Sequence, residues 1–112
     1  MSTSNEKEIN QHNADGQREG YWEECFRNGQ LYYKGNYING NCDGYWELYH
    51  CNGQLNCKGN YINGISIGLW ESYWNDGQLH YKGNYVNDLK DGWWENYNKE
   101  GVLEERFFYA NI

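Results

Sequence analysis

The sequence predicts an all-β protein, an elongated and twisted antiparallel meander of about four stacked β-hairpin repeats. A glycine and a tryptophan, two positions apart, recur together every 24 residues. The recurring pairs are Gly20 and Trp22, Gly44 and Trp46, Gly68 and Trp70, and Gly92 and Trp94. A fixed period in the range of about 20–50 residues is typical of repeat architectures. Aromatic residues make up 19% of the chain and proline is absent, which suits strands and tight turns.

The domain boundaries follow from where the repeat begins. Residues 1–14 are polar and lack periodicity, so we expect a disordered tail. From Asp15 the segment DGQREGYW is a partial first copy that shields the first strand of the first full repeat. The sequence therefore predicts a single repeat domain over residues 15–112, with repeats starting at the four recurring glycines and a C-terminal cap.

Each repeat contains two aromatic-rich runs separated by a turn dipeptide, which is Asn28-Gly29 in the first copy. Asn-Gly between such runs indicates a hairpin with a two-residue type I′ turn. Counting outward from this turn places Phe26 opposite Leu31 and Glu24 opposite Tyr33. The sequence therefore predicts the register of every hairpin from its turn.

The same register pairs an acid with a base in every repeat. The predicted pairs are Glu23 with Lys34, Glu47 with Lys58, Glu71 with Lys82, and Glu95 with Arg106. Exposed cross-strand pairs of this kind contribute roughly 0.2–1 kcal/mol each, enough to favour one register.

The register also sets each tryptophan opposite a glycine of its own hairpin. The pairs are Trp22 with Gly35, Trp46 with Gly59, and Trp70 with Gly83. An aromatic ring over a strand glycine restores packing that the glycine lacks. We therefore expect the tryptophans to be structural, each indole lying over the glycine of its own hairpin.

Period-2 alternation separates two faces of the sheet. Trp22, Leu31, Gly35 and Tyr37 with their copies are nearly unchanged between repeats, as expected for a core face. The other face varies more and is rich in tyrosine, a residue that forms adhesive surfaces at low entropic cost. It is the candidate recognition face. The predicted partner-binding residues are Tyr21, Tyr32, Tyr45, Tyr49, Tyr73, His80 and Tyr97.

The fourth copy departs from the pattern after Gly101. Phe107 stands where the earlier copies have glycine, and Phe108 stands where they have asparagine. The last strand therefore cannot accept a tryptophan on bare backbone. We interpret it as a cap, or as an apolar edge that recruits a second chain through Phe107 and Phe108 to form a homodimer.

Charge limits the classes of partner. The formal net charge of −7 argues against nucleic acid and against anionic membranes, since both favour a basic protein surface. It favours a protein partner with a basic surface. The N-terminus lacks the basic end and apolar run of a secretory signal, and no stretch suits a transmembrane helix, so we expect a cytoplasmic protein.

Candidate chemical sites are weak. The four cysteines form no CxxC pair and no zinc spacing with the histidines, so we expect free thiols and no metal. The recurring glutamates each have their own cross-strand cation, and no glycine-rich phosphate loop precedes a helix. We expect neither catalysis nor a cofactor.

Three segments carry a resemblance to a known family. They are DGYWELYHCNGQLNCKGNYING, GLWESYWNDGQLHYKGNYVND and DGWWENYNKEG. They closely resemble the MORN repeat (membrane occupation and recognition nexus), in the variant found in bacterial proteins similar to antitoxin components. The resemblance covers about Asp15 to Tyr109. It implies stacked β-hairpins, roles in protein–protein contact, scaffolding or membrane-associated assembly, and a small protein that binds and neutralises a partner.

These observations predict a non-enzymatic module that binds a protein through its tyrosine-rich face, in the manner of an inhibitor of a toxin or effector. A structural scaffold that self-associates through its C-terminal edge is one alternative. Binding of a small ligand between aromatic side chains, with contributions from Trp74 or His50, is another.

Overall fold

The computed structural model describes residues 8–110 of the chain, and within them it forms one sheet of nine antiparallel strands. Strand order in the sheet equals strand order in the sequence, which confirms the predicted meander. The strands are β1 (Gln11–His12), β2 (Arg18–Cys25), β3 (Leu31–Ile38), β4 (Asn41–Tyr49), β5 (Leu55–Ile62), β6 (Ile65–Tyr73), β7 (Leu79–Val86), β8 (Leu89–Tyr97) and β9 (Leu103–Tyr109).

The turn inside each hairpin differs from the predicted type I′ turn. In the first hairpin the N–H of Gly29 donates to the Phe26 carbonyl, and only Gly29 has positive φ, at 90°. A type I′ turn requires positive φ at both central residues, whereas a turn followed by a glycine bulge requires it at one. The bulge shifts the register by one residue, so Cys25, and not Phe26, lies opposite Leu31.

Tyr32 is then an extra residue of β3, and it restores the counted register. Beyond it the prediction is confirmed, with Glu24 opposite Tyr33, Glu23 opposite Lys34 and Trp22 opposite Gly35. The links between hairpins contain the turns with two residues of positive φ. Asn39 and Gly40 have φ of 50° and 82°, the pattern of a type I′ turn, and Asn41 already begins β4.

The short strand β1 completes the N-terminal edge. Gln11 pairs with Glu19 of β2, and the Trp22 indole N–H donates to the Gln11 carbonyl at 3.0 Å. The sheet therefore begins within the segment for which a disordered tail was predicted, because β1 provides the carbonyl that the first tryptophan requires. Residues 1–7 of that tail lie outside the described residues.

A second bulge brings successive hairpins together. Between β3 and β4 the register runs from Lys34 opposite Glu47 to Asn36 opposite Asp43. Gly35 therefore faces a three-residue segment that starts at Gly44, whose φ of 81° suits glycine. This segment brings the tryptophan of the next repeat back across the preceding strand.

The indole that covers each strand glycine therefore comes from the following hairpin, and the predicted covering by the tryptophan of the same hairpin is wrong. A Cβ on Gly35 would approach the Trp46 ring to well under 3.0 Å, and none of its three nearest atoms belongs to Trp22. Gly59 has the same relation to Trp70, and Gly83 to Trp94.

The core is correspondingly thin. The buried hydrophobic residues are Trp22, Trp46, Trp70 and Trp94, which are 3–9% exposed. The indole N–H of the last three donates to the carbonyl of the asparagine that follows each covered glycine, at 3.1–3.2 Å. Tyrosines such as Tyr37 and Tyr61 pack edge-on between successive indoles. Each repeat is thus held chiefly by its neighbours.

Candidate functional site

The two faces of the sheet have different chemistry. We call the side with the buried indoles the tryptophan face. We call the opposite side, which carries Glu23, Glu47, Glu71 and Glu95, the glutamate face. Five of the predicted partner-binding residues lie on the glutamate face: Tyr21, Tyr45, Tyr49, Tyr73 and Tyr97.

These five tyrosines are organised around the glutamates. The hydroxyls of Tyr45 and Tyr49 both donate to Glu47, the first at 2.7 Å. Tyr21 donates to Glu23 at 2.6 Å and Tyr97 to Glu95 at 2.9 Å. Because the carboxylates fix the hydroxyls, the phenol rings are held in place at two repeat positions, one shared by Tyr21 and Tyr45 and the other by Tyr49, Tyr73 and Tyr97.

The basic residues of this face pair mainly between repeats. Lys34 lies 3.4 Å from Glu47, and Lys58 lies 3.7 Å from Glu71. The predicted ion pairs of Glu23 with Lys34 and of Glu47 with Lys58 are therefore wrong as contacts, although the residues are opposite in register. Lys34 and Lys58 each lie between two glutamates in the register and contact the one in the next hairpin.

The C-terminal hairpin departs from this pairing between repeats. Arg106 pairs with Glu95 at 3.3 Å, as predicted. The predicted contact of Lys82 with Glu71 does not form, and Lys82 makes no ion pair with any residue between 8 and 110. Glu71 contacts Lys58 of the preceding hairpin, so the pairing between repeats runs in one direction and ends at Glu71.

The network shifts the titration of its members. Burial, followed by the hydrogen bond to a glutamate, raises the pKa of Tyr21 and of Tyr49 to about 12. Burial alone would raise the pKa of Glu47 as well. The hydrogen bonds from Tyr49 and Tyr45 and the nearby Lys34 outweigh burial and lower the Glu47 pKa below its usual value.

We expect these shifts to make the fold sensitive to alkali. A tyrosine whose pKa is raised on folding contributes stability that is present below its unfolded pKa of about 10. That contribution is lost as pH rises through the folded pKa of about 12 for Tyr21 and Tyr49. Titration of tyrosinate absorbance should therefore show a late phase near pH 12, accompanied by loss of the β-sheet circular dichroism signal.

Glu47→Gln supplies the control for this titration. It removes the carboxylate charge beside Tyr45 and Tyr49, so part of the late phase should move towards the ordinary value of about 10. A single titration near pH 10 for all tyrosines of the unaltered protein would contradict the network.

The other two predicted partner-binding residues, Tyr32 and His80, lie elsewhere. In the third hairpin Ser72 pairs with Tyr81 and Tyr73 with Leu79, which leaves His80 as the extra residue of the bulge. Tyr32 has the same place in the first hairpin. The extra residue interrupts the alternation on which their assignment to the recognition face depended, so that assignment is wrong.

Both residues instead contact the ring of the residue that begins their own turn. The Tyr32 ring lies 4.6 Å from that of Phe26, and the His80 ring stacks on Trp74 at 3.5 Å. His80 also lines a depression on the tryptophan face with Tyr85 and Trp94. Burial lowers the pKa of His80, so its neutral form is favoured.

The residues proposed for a small-ligand site lie near this bulge. His50 and Trp74, with Asn56 and His80, line a depression of about 470 Å³. His50 Nε2 lies 2.9 Å from the Tyr73 carbonyl, and the Trp74 indole N–H donates to the Tyr97 carbonyl at 3.3 Å. These groups connect neighbouring hairpins, and ligand binding there stays a prediction.

The described residues contain no group of three or more histidine, cysteine, aspartate or glutamate side chains placed to hold a metal ion. All four cysteines are free thiols, as predicted. Within residues 8–110 there is also no helix long and apolar enough to cross a membrane.

At the C-terminal edge, Phe107 and Phe108 are 46% and 60% exposed. Phe107 lies opposite Trp94 and Phe108 opposite Trp93, on β9, which has no further strand beyond it among the described residues. An exposed edge of this kind can pair with another chain. Self-association through these two residues stays a prediction.

Sequence reasoning did not assign Leu69 and Trp93 to the candidate site. They occupy the position of Tyr21 and Tyr45 in the later repeats, opposite Asn84 and Phe108, and are 50% and 51% exposed. The signal that identifies them is the 24-residue period itself. A search for tyrosine alone misses this repeat position in the later copies, where it is occupied by leucine or tryptophan.

A single open sheet of stacked hairpins, with one face closed by indoles and the other presenting side chains to solvent, defines the class of β-hairpin repeat proteins. The family model described as the MORN repeat variant matches residues 18–39, 43–63 and 67–87. The chain belongs to this family, whose repeats are non-enzymatic modules that bind proteins or membranes. No curated protein and no solved structure gives a significant match.

Proposed function

We propose that this protein is a non-enzymatic binding module that holds a basic partner protein against its glutamate face, and that binding neutralises the partner, a toxin or effector. One observation supports the proposal above the others. Five tyrosines are fixed by hydrogen bonds to a row of glutamates on the face that the core does not use. Pre-organised aromatic rings lose little entropy on binding.

Charge supports the choice of partner. The chain carries a formal charge of −7, which accelerates encounter with a basic protein and disfavours acidic ones. The open sheet also suits a macromolecule better than a small substrate, because its depressions are shallow and lie between neighbouring side chains and not inside a closed core.

A photo-crosslinking amino acid tests the face directly. The crosslinker replaces Tyr45, which is 48% exposed on the glutamate face, or Tyr81, which is 37% exposed and packs beside Trp94 on the other face. In cells of the native host we expect a defined covalent adduct from position 45 and a much weaker one from position 81. The adducted protein should be basic, and its toxicity in a test strain should be relieved by co-expression of this chain.

Equal adducts from the two positions would contradict recognition by the glutamate face. A partner that is harmless when expressed alone would contradict neutralisation and leave protein binding intact.

A further inference from the structure

Three exposed apolar side chains form a row on the glutamate face. Tyr45, Leu69 and Trp93 occupy the same position in successive repeats and are 48%, 50% and 51% exposed. The row is continued on the N-terminal side by Tyr21, and a depression of about 320 Å³ lies between Tyr21 and Tyr45. At the other end the Arg106 guanidinium stacks over Trp93 at 4.1 Å and holds the indole in place.

Hydrogen-bond donors accompany the apolar row. Tyr45 is paired across the strands with Asn60, and Leu69 with Asn84. Both asparagines are exposed, and neither side-chain amide bonds to another residue in the part of the chain that the structure describes. We call Tyr45, Asn60, Leu69, Asn84 and Trp93 the strip. It therefore presents apolar groups and unused amide donors in alternation.

The spacing of the strip selects among peptide conformations. Successive apolar members lie on alternate strands of the sheet, β4, β6 and β8, which are about 9.6 Å apart across the sheet. A polyproline II helix has three residues per turn and a rise of about 3.1 Å, so its side chains repeat every ~9.3 Å. A β-strand repeats every ~6.7 Å on one face and does not match. The repeat of an α-helix over two turns matches better than that of a β-strand. Its backbone carbonyls are already bonded inside the helix, however, and cannot accept hydrogen bonds from the asparagines.

We propose that the strip binds a polyproline II segment of a partner protein, with an apolar side chain at every third position lying between successive row members. This inference rests on the proposed function and specifies the partner segment. The backbone carbonyls of a polyproline II helix are free and accept hydrogen bonds from Asn60 and Asn84. The acidic chain favours arginine or lysine at the positions that point away from the strip.

Synthetic peptides test the proposal with the full chain. The probe is a fluorescent peptide of four Pro-Pro-Arg triplets, measured by anisotropy. One control has the same composition with its arginines consecutive, and the other has four Gly-Gly-Arg triplets, which keep the charge spacing but not the polyproline II conformation. We expect the probe to bind at least about 10-fold more tightly than either control.

Substitutions locate the binding. Leu69→Asn and Asn84→Leu should each weaken probe binding about 10-fold, since each removes one kind of contact. Val102→Asn, at a residue 57% exposed near the last turn, should leave binding unchanged. Thermal unfolding of each variant verifies that the fold is retained.

Equal binding of the Gly-Gly-Arg peptide, or no effect of both strip substitutions, would overturn the proposal. Preferential binding of an alternating Leu-Arg strand or of an amphipathic helical peptide would overturn it as well. A crosslinked partner at position 45 together with no probe binding would refute the polyproline II segment alone. Absence of that crosslink would instead refute the proposed function.

Discussion

Gly59→Ala is expected to destabilise the protein by about 3 kcal/mol or more, although it adds a single methyl group. The new Cβ would fall well under 3.0 Å from the Trp70 ring. Overpacking of this kind typically costs about 1–3 kcal/mol, and here the ring cannot move away without losing its hydrogen bond to the Asn60 carbonyl. Chemical denaturation followed by tryptophan fluorescence measures the change.

The neighbouring exposed residue gives a matched control. Asn60→Ala alters a side chain that points to solvent and should change the free energy of unfolding by no more than about 0.5 kcal/mol. Comparable losses of stability from the two substitutions would show that the Trp70 indole does not require a glycine at position 59.

A double-mutant cycle identifies which indole lies over Gly59. In a Trp70→Ala background the cost of Gly59→Ala should largely disappear, because the atoms it would strike are gone. In a Trp46→Ala background the cost should persist, although Trp46 is the residue opposite Gly59 in register. The reverse result would show that Gly59 is covered by Trp46, the tryptophan of its own hairpin.

Alanine substitutions of two adjacent tryptophans, Trp93 and Trp94, are expected to differ sharply in their effect on the free energy of unfolding. Trp94→Ala removes an indole that is 3% exposed, lies over Gly83 and donates to the Asn84 carbonyl at 3.1 Å, so we expect a loss of about 3–5 kcal/mol. Against a total stability of roughly 5–15 kcal/mol, this would unfold the C-terminal repeats first. Thermal unfolding and amide hydrogen exchange measure the loss and its location.

Trp93→Ala is the internal control, since Trp93 is 51% exposed on the opposite face. Its loss should cost less than about 1 kcal/mol and should affect partner binding instead of stability. Similar destabilisation by both substitutions would contradict the division of the sheet into a core face and a recognition face.

Most of the fold could be predicted because the repeat is written directly in the sequence. The 24-residue period fixes the number of hairpins, and counting from the turn gave correct partners for Trp22, Glu23 and Glu24. Register within a hairpin depends only on a few consecutive residues and on the turn that joins them. Five of the seven predicted partner-binding residues lie on the glutamate face for the same reason.

Turn type could not be predicted from the dipeptide. Asn28-Gly29 and Asn39-Gly40 are identical, yet only the second has positive φ at its asparagine. The difference arises from what each turn connects. The first accommodates an extra strand residue, Tyr32, and the resulting bulge also displaced Tyr32 and His80 from the face on which alternation placed them.

By itself, therefore, the sequence determined the strands, their order and the pairing inside each hairpin away from its turn. Only the tertiary structure decided that Trp46 covers Gly35 and that Lys34 contacts Glu47, both across the boundary between repeats. The physical reason is the positive-φ glycine at position 44. This glycine lets three residues of β4 lie opposite one residue of β3, and so brings the indole back over the preceding hairpin. Counting outward from a turn cannot reveal this contact, because it joins two different hairpins.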